Sequence, residues 1–301
     1  MKEKKYDLLI IKLGASGDVV RTTPILHLFR GKAIAWVTDP KNKELLPQNY
    51  PNMHIFSPEA LPTTTSHLVL SLDEDKNAIA LLERIQFDRL IGVYRTSNGD
   101  YRYTPEMEEW FDMSLVSRYG KAEADRRKWQ NRKTYPFYLF KALGATFQQE
   151  PYLINEKVVS EPKPKRIGIE ARAGDRWPTK RWNQFDKLAQ ILQQQGFEVF
   201  FFQQRPTLIE YMKDIASCEY IFTGDTLCMH IALALRIPHI AFFTCTSPWE
   251  IEDYGIMYKL VSPQLEKAFY KTEYVPEAVE SITLEMVLKA FWQHWQIHSK
   301  H

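Results

Sequence analysis

The 301 residues, 45% of them hydrophobic, suffice for two ordinary cores, and 39 Lys and Arg against 37 Asp and Glu leave a formal charge of +2. That balance excludes nucleic-acid binding through bulk electrostatics. Cys218, Cys228 and Cys245 are an odd number without CxxC spacing, so neither a disulfide framework nor a zinc site is indicated and a reducing cytosol is expected. Met1-Lys2-Glu3-Lys4-Lys5-Tyr6 lacks the form of a signal peptide, and no apolar run approaches the roughly 20 residues that cross a bilayer. The expected location is cytoplasmic, with any contact at the inner face of the membrane peripheral.

The first apolar run, 7–13, reads as a strand and 19–30 as a helix, which makes Leu13-Gly14-Ala15-Ser16-Gly17-Asp18 the turn between them. Gly14 and Gly17 are read as allowing the sharp turn. Asp18 stands where the helix should begin, either as a cap on its free N–H groups or as a carboxylate at the mouth of a cleft outside the carboxyl end of a parallel sheet. The loop fails the GxGxxG and P-loop patterns. Strands at 34–38, 67–72 and 87–94, separated by a short helix or loop at 41–48 and an amphipathic helix at 74–84, give a βαβ alternation. From 95 to 145 the chain turns aromatic and charged, with Met107, Trp110, Phe111, Ser114 and Leu115 at helical spacing. The basic run Arg126, Arg127, Lys128, Arg132 and Lys133 reads first as a solvated helix face, and second as a surface for an anionic acceptor or an acidic membrane. A helix at 135–143 stops at Gly144.

Pro162 and Pro164 place a linker at 156–166, between an N-terminal domain at 1–155 and a second at 167–283. The second alternation has strands at 166–170, 197–202, 220–223 and 239–243, and helices at 183–195, 207–216 and 226–235. A final segment, 284–301, carries Leu284, Leu288, Phe291 and Trp295 on one stripe suited to packing back across the domain junction. Between strand and helix, Arg172, Arg176, Lys180 and Arg181 read either as donors to a diphosphate at a helix N-terminus or as a solvated loop. Thr223-Gly224-Asp225-Thr226 repeats that position. Asp225 reads as a helix cap or an acceptor from sugar hydroxyls, Thr226 as a phosphate contact, and His230 as a packed core histidine.

Lys12-Leu13-Gly14-Ala15-Ser16-Gly17-Asp18-Val19-Val20 through Thr23-Pro24 open a series that continues at Lys180-Arg181-Trp182. It goes on at Gly224-Asp225-Thr226 with His230, Ala232, Ala234 and Leu235, then Ile237-Pro238, Thr246-Ser247-Pro248 and Tyr254-Gly255. In order and spacing this resembles glycosyltransferase family 9, the ADP-heptose:lipopolysaccharide heptosyltransferase family. The resemblance implies an α/β GT-B fold, two Rossmann-like βαβ domains facing each other across a cleft. It also implies a metal-independent, cofactor-free, inverting transfer from a nucleotide-diphosphate sugar, with ADP-heptose the first expectation, to a hydroxyl of a lipopolysaccharide-type or other glycolipid or surface-glycan acceptor. Asp18 matches the general base. Lys180, Asp225, Thr226, Arg176, Gly224 and Leu227 fall on the donor side, and Gly14, Ser16 and Gly17 form the acceptor-side loop, with Asp18 facing the donor across the junction.

Departures from the family pattern bear on the donor. Leu227 replaces the usual glycine after Asp-Thr, and 203–219 has room for one short helix where larger members carry a further βα unit; Glu210 is the ribose carboxylate considered there. The cysteine cluster of some relatives is missing, so no iron or zinc site is expected. These departures keep open a non-catalytic, nucleotide-sugar-binding scaffold, and the two-domain fold keeps open a sugar-nucleotide epimerase.

Overall fold

A computed structural model describes residues 5–159 and 161–299. Met1 to Lys4 of the N-terminal reading, Ser160 of the expected linker, and Lys300 and His301 of the C-terminal segment lie outside the described residues. The chain divides into two units, Met1–Glu156 and Lys157–His301.

The first unit runs β1 (Lys5–Ile11), α1 (Ser16–Thr22), β2 (Ile34–Val37), β3 (Met53–Phe56), β4 (Thr64–Ser71), α2 (Lys76–Ala80) and β5 (Ile85–Arg95). It continues with β6 (Tyr101–Tyr103), α3 (Glu108–Phe111), α4 (Lys121–Gln130) and α5 (Tyr135–Ala142). The sheet order is β3-β2-β1-β4-β5-β6, parallel apart from the antiparallel β6. Leu8 and Ile10 of β1 pack on one face with Trp36, Phe111 and Phe140, while Leu9 and Ile11 pack on the other with Val37, Val69 and Leu81. A strand buried on both faces reads as an unbroken apolar run, as 7–13 does.

Local chemistry breaks two expected helices. The helix expected over 19–30 is α1 followed by a 3-10 segment, Thr23–Phe29, because Pro24 supplies no N–H and its ring crowds the preceding turn. Gly17 is the second residue of α1, not part of the turn. The helix expected over 74–84 is α2 followed by another 3-10 segment, Leu81–Arg84, with the Asp75 carboxylate capping its start through Asn77 N at 2.7 Å. The insert opens with a strand, β6, and its first helix ends at Phe111, leaving Leu115 74% exposed.

The second unit runs β7 (Lys163–Glu170), α6 (Phe185–Gln194), β8 (Glu198–Phe201), α7 (Leu208–Ala216), β9 (Cys218–Gly224) and α8 (Leu227–Ala234). Then come β10 (His239–Phe243), β11 (Met257–Val261), α9 (Leu265–Ala268), α10 (Pro276–Glu280) and α11 (Leu284–His298). Its sheet, β11-β10-β9-β7-β8, is parallel throughout. Residues 163–166, assigned above to the linker, begin β7: Lys163 pairs with Cys218, and the register shifts before Ile167 meets Tyr220. Pro164 sits in that irregularity, where a missing N–H costs no ladder bond. Phe291 and Trp295 of α11 are buried against Phe197 and Tyr220, with Leu284 and Leu288 partly buried on the same cluster, so the stripe is committed to this unit's own core.

Candidate active site

In the first unit the strand order builds a charged cluster at the carboxyl end of β1. Ile11 lies opposite Ser71 of β4, so Lys12 and Leu13 emerge beside Asp73. The Asp73 carboxylate takes Lys12 Nζ at 2.6 Å and also accepts from Leu13 N. The same ammonium is 3.7 Å from Asp18 Oδ2, and Arg21, one turn further along α1, is 2.9 Å from Asp18 Oδ1. Arg21 in turn lies over the rings of Tyr135, at 4.4 Å, and Trp110, at 5.5 Å, so the insert backs it against Asp18. Burial opposes a charge on Lys12, but Asp18 and Asp73 beside it outweigh burial and raise its pKa above the ordinary lysine value.

The cap reading of Asp18 is thereby corrected. Ala15 is the N-cap of α1 and makes no side-chain cap bond, while the Asp18 carboxylate, a third exposed, faces two cations. Ser16 Oγ donates to Asn42 Oδ1 at 2.6 Å and Asn42 Nδ2 donates to Leu13 O at 2.6 Å, which ties the loop to the turn after β2.

In the second unit β9 ends at Gly224 and α8 begins after the N-cap Thr226, so Asp225 is not the cap. Its carboxylate receives Lys180 Nζ at 2.8 Å and Thr246 Oγ1 at 2.6 Å; Lys180 Nζ also donates to the Asp225 carbonyl at 2.7 Å. Burial alone would raise the Asp225 pKa, but the Lys180 charge, helped by His230 and the two hydrogen bonds, brings it down to about 2. Thr226 Oγ1 lies 3.1 Å from Thr223 Oγ1, and half-buried Leu227 opens the helix.

Lys180 is aimed by its neighbours. The carbonyl of buried Thr179 accepts from Thr244 Oγ1 at 2.6 Å, and its hydroxyl accepts from Val275 N at 3.0 Å. Trp182, two residues on, stacks on Phe242 and donates Nε1–H to Ile282 O at 2.8 Å. In Lys180-Arg181-Trp182 one side chain thus reaches the site, one anchors the core, and Arg181 ties back to Ala173 O and Asp175. Arg176 is exposed over the Trp177 ring, and Arg172 pairs with Glu170, so neither is gathered around Lys180 and Asp225.

Gly224 has a packing role: a Cβ there would lie 2.9 Å from the Lys180 carbonyl oxygen. Gly224→Ala should therefore displace the Lys180 turn and cost about 1 to 3 kcal/mol, read as a lower thermal midpoint.

One further expectation is corrected. Glu210 forms a capping box with Thr207 at the start of α7, accepting from Thr207 N at 3.2 Å, so its carboxylate is committed to a helix end. The basic run is largely paired within the insert: Arg126 and Arg127 hold Glu123, Arg132 donates to Trp129 and Asn131 carbonyls, and Lys133 lies over Phe137.

Residues 205–277 match glycosyltransferase family 9 (heptosyltransferase). Over that stretch, about a quarter of its length, the chain is similar to this glycosyltransferase family. The matched segment contains Asp225, Thr226 and His230 and stops short of Lys180 and Asp18. No curated protein matches. Among solved structures, Escherichia coli heptosyltransferase WaaC with ADP-2-deoxy-2-fluoro heptose is 14% identical with a TM-score of 0.65, over 96% of this chain and 99% of that one. A family 9 glycosyltransferase from Veillonella parvula is 16% identical with a TM-score of 0.61, over 98% and 97%. E. coli ADP-heptose lipopolysaccharide heptosyltransferase II is 15% identical with a TM-score of 0.60, over 97% and 99%. The fold of this family 9-like chain is therefore GT-B, two parallel-sheet Rossmann-like units; the scaffold and epimerase readings gain no support. Among the described residues no helix is long and apolar enough to cross a membrane.

Asp73, Arg21, Asn42 and Thr244 went unnoticed in the sequence. A lysine directly ending an apolar strand was the available signal for Asp73, since an ammonium emerging from a buried β1 needs a carboxylate on the adjoining strand end.

Proposed function

We propose that the chain transfers a sugar, with inversion and without a metal ion, from a nucleotide-diphosphate donor to an acceptor hydroxyl. ADP-heptose is the donor of choice and a lipopolysaccharide-type glycan the acceptor. The observation that carries this reading is the Lys180 ammonium fixed at 2.8 Å on Asp225, immediately before α8, within reach of the segment that matches family 9. Lys180 uses two contacts on Asp225, and its third N–H is the donor assigned to a diphosphate oxygen. The N–H groups opening α8 and the Thr226 hydroxyl take further oxygens.

As the bond to the leaving diphosphate breaks, negative charge grows on its bridging oxygen. Lys180 and the helix N–H groups are already oriented to meet that charge, which lowers the barrier without reorganisation. Asp18 takes the proton from the acceptor hydroxyl as its oxygen attacks the anomeric carbon on the face opposite the leaving group. The protein similarities that support the donor choice are those to WaaC, solved with an ADP-sugar, and to heptosyltransferase II. Any membrane contact in this reading is peripheral, made through the acceptor.

Calorimetric titration with ADP, ADP-heptose and other nucleotide sugars tests the donor assignment. Binding of ADP and ADP-heptose is expected, and a failure of every nucleoside diphosphate and nucleotide sugar to bind would sink it.

A further inference from the structure

Asp18 is surrounded by charge from several elements. Lys12 approaches from the end of β1, Arg21 from α1, Asp73 and Glu74 from the segment after β4, and the Tyr135 hydroxyl from α5. Of these, Lys12 has the geometry of a shared counter-ion. It is 6% exposed, fixed by Asp73 at 2.6 Å, and stands 3.7 Å from Asp18, too far for a full hydrogen bond and close enough for strong attraction. Asp73 is itself held by Leu13 N, so the ammonium cannot move freely toward Asp18.

We propose that Lys12 is a positioning residue for Asp18, keeping that carboxylate charged and in place, and that Asp73 sets how much of the ammonium's attraction Asp18 receives. The inference deepens the general-base assignment of Asp18 and rests on it for its catalytic meaning. A carboxylate loses its proton more readily beside a cation, so taking away Lys12 makes Asp18 hold its proton to higher pH. Neutralising Asp73 does the opposite, because a competing partner of Lys12 and a like charge near Asp18 both disappear. Opposite signs from two members of one cluster separate this role from a structural one, which would depress activity at every pH alike. Burial pushes Glu74 toward its neutral form, and Tyr135 likewise, so neither supplies the opposing charge that Asp73 does.

The test is a 13C NMR titration of the Asp18 carboxyl, assigned by its loss in Asp18→Asn, in the full-length protein and in Lys12→Met, Lys12→Arg and Asp73→Asn. Lys12→Met is expected to move the titration up by about one pH unit, Asp73→Asn to move it down, and Lys12→Arg to leave it near the wild type. Should burial make Lys12→Met unable to fold, the isosteric Asp73→Asn still reads the sign. An unmoved titration, or shifts in the same direction for Lys12→Met and Asp73→Asn, overturns the proposal. The acid limb of kcat/KM is expected to follow the carboxyl in each variant. A carboxyl that moves while the limb stays fixed would leave the coupling standing and remove Asp18 as the base.

Discussion

Asp18→Asn is expected to lower kcat by about 10²- to 10⁴-fold, the usual contribution of a positioned general base, with donor affinity nearly unchanged. The structure explains why the fold should tolerate the change. Lys12 keeps its 2.6 Å pair with Asp73, and Arg21 stays stacked on Tyr135, so neither cation is left in an apolar surrounding without a partner. Asparagine preserves the shape while removing the proton acceptor. Steady-state kinetics alongside a calorimetric donor titration separate the two effects, and normal turnover by Asp18→Asn would show that another group takes the proton.

Lys180→Met should be the most damaging change in the second unit. It leaves the Asp225 carboxylate, 14% exposed, with Thr246 but without its cation, and breaking such a pair costs about 3 to 5 kcal/mol. Lost charge-assisted contacts should also weaken ADP binding by about 10- to 100-fold. The pH dependence follows from the same pair. With its folded pKa held at about 2, below the usual 3.8, Asp225 contributes stability that is fully present above pH 4 and lost as pH falls through about 2. Linkage puts that contribution at about 2 kcal/mol. Urea unfolding at pH 7 and pH 3 should show Asp225→Asn losing less stability on acidification than the wild type; equal losses would mean that the carboxylate is not held as described.

The parallel sheets were legible because strands buried on both faces must be apolar along their length, and because glycines, prolines and polar residues mark where they stop. Short elements escaped that logic: β3, β6 and β11 are only three to five residues long, and β11 has an exposed Tyr258. The helix expected over 19–30 failed at Pro24, whose signal is local and was outweighed by the apolar spacing. At the site, the sequence marked Asp18, Lys180 and Asp225 and carried Lys12 and Thr246 only within its motif series, without showing which side chains meet. Asp73 is 55 residues beyond Asp18 and reaches the same cluster only through the β1–β4 pairing, and Thr246 reaches Asp225 from the segment after β10. Such partners are set by strand order, which local spacing does not encode. Glu210, the ribose carboxylate considered in the short 203–219 region, is the reverse case: its helix-capping bonds depend on the backbone of α7.

The most direct measurement is release of nucleoside diphosphate from ADP-heptose by the purified wild-type protein, with and without a heptose-accepting lipopolysaccharide core glycan. The account predicts release that depends on acceptor and is accompanied by a glycosylated product of inverted anomeric configuration. Donor binding without any acceptor-dependent release, or a product that retains the donor's configuration, would contradict it.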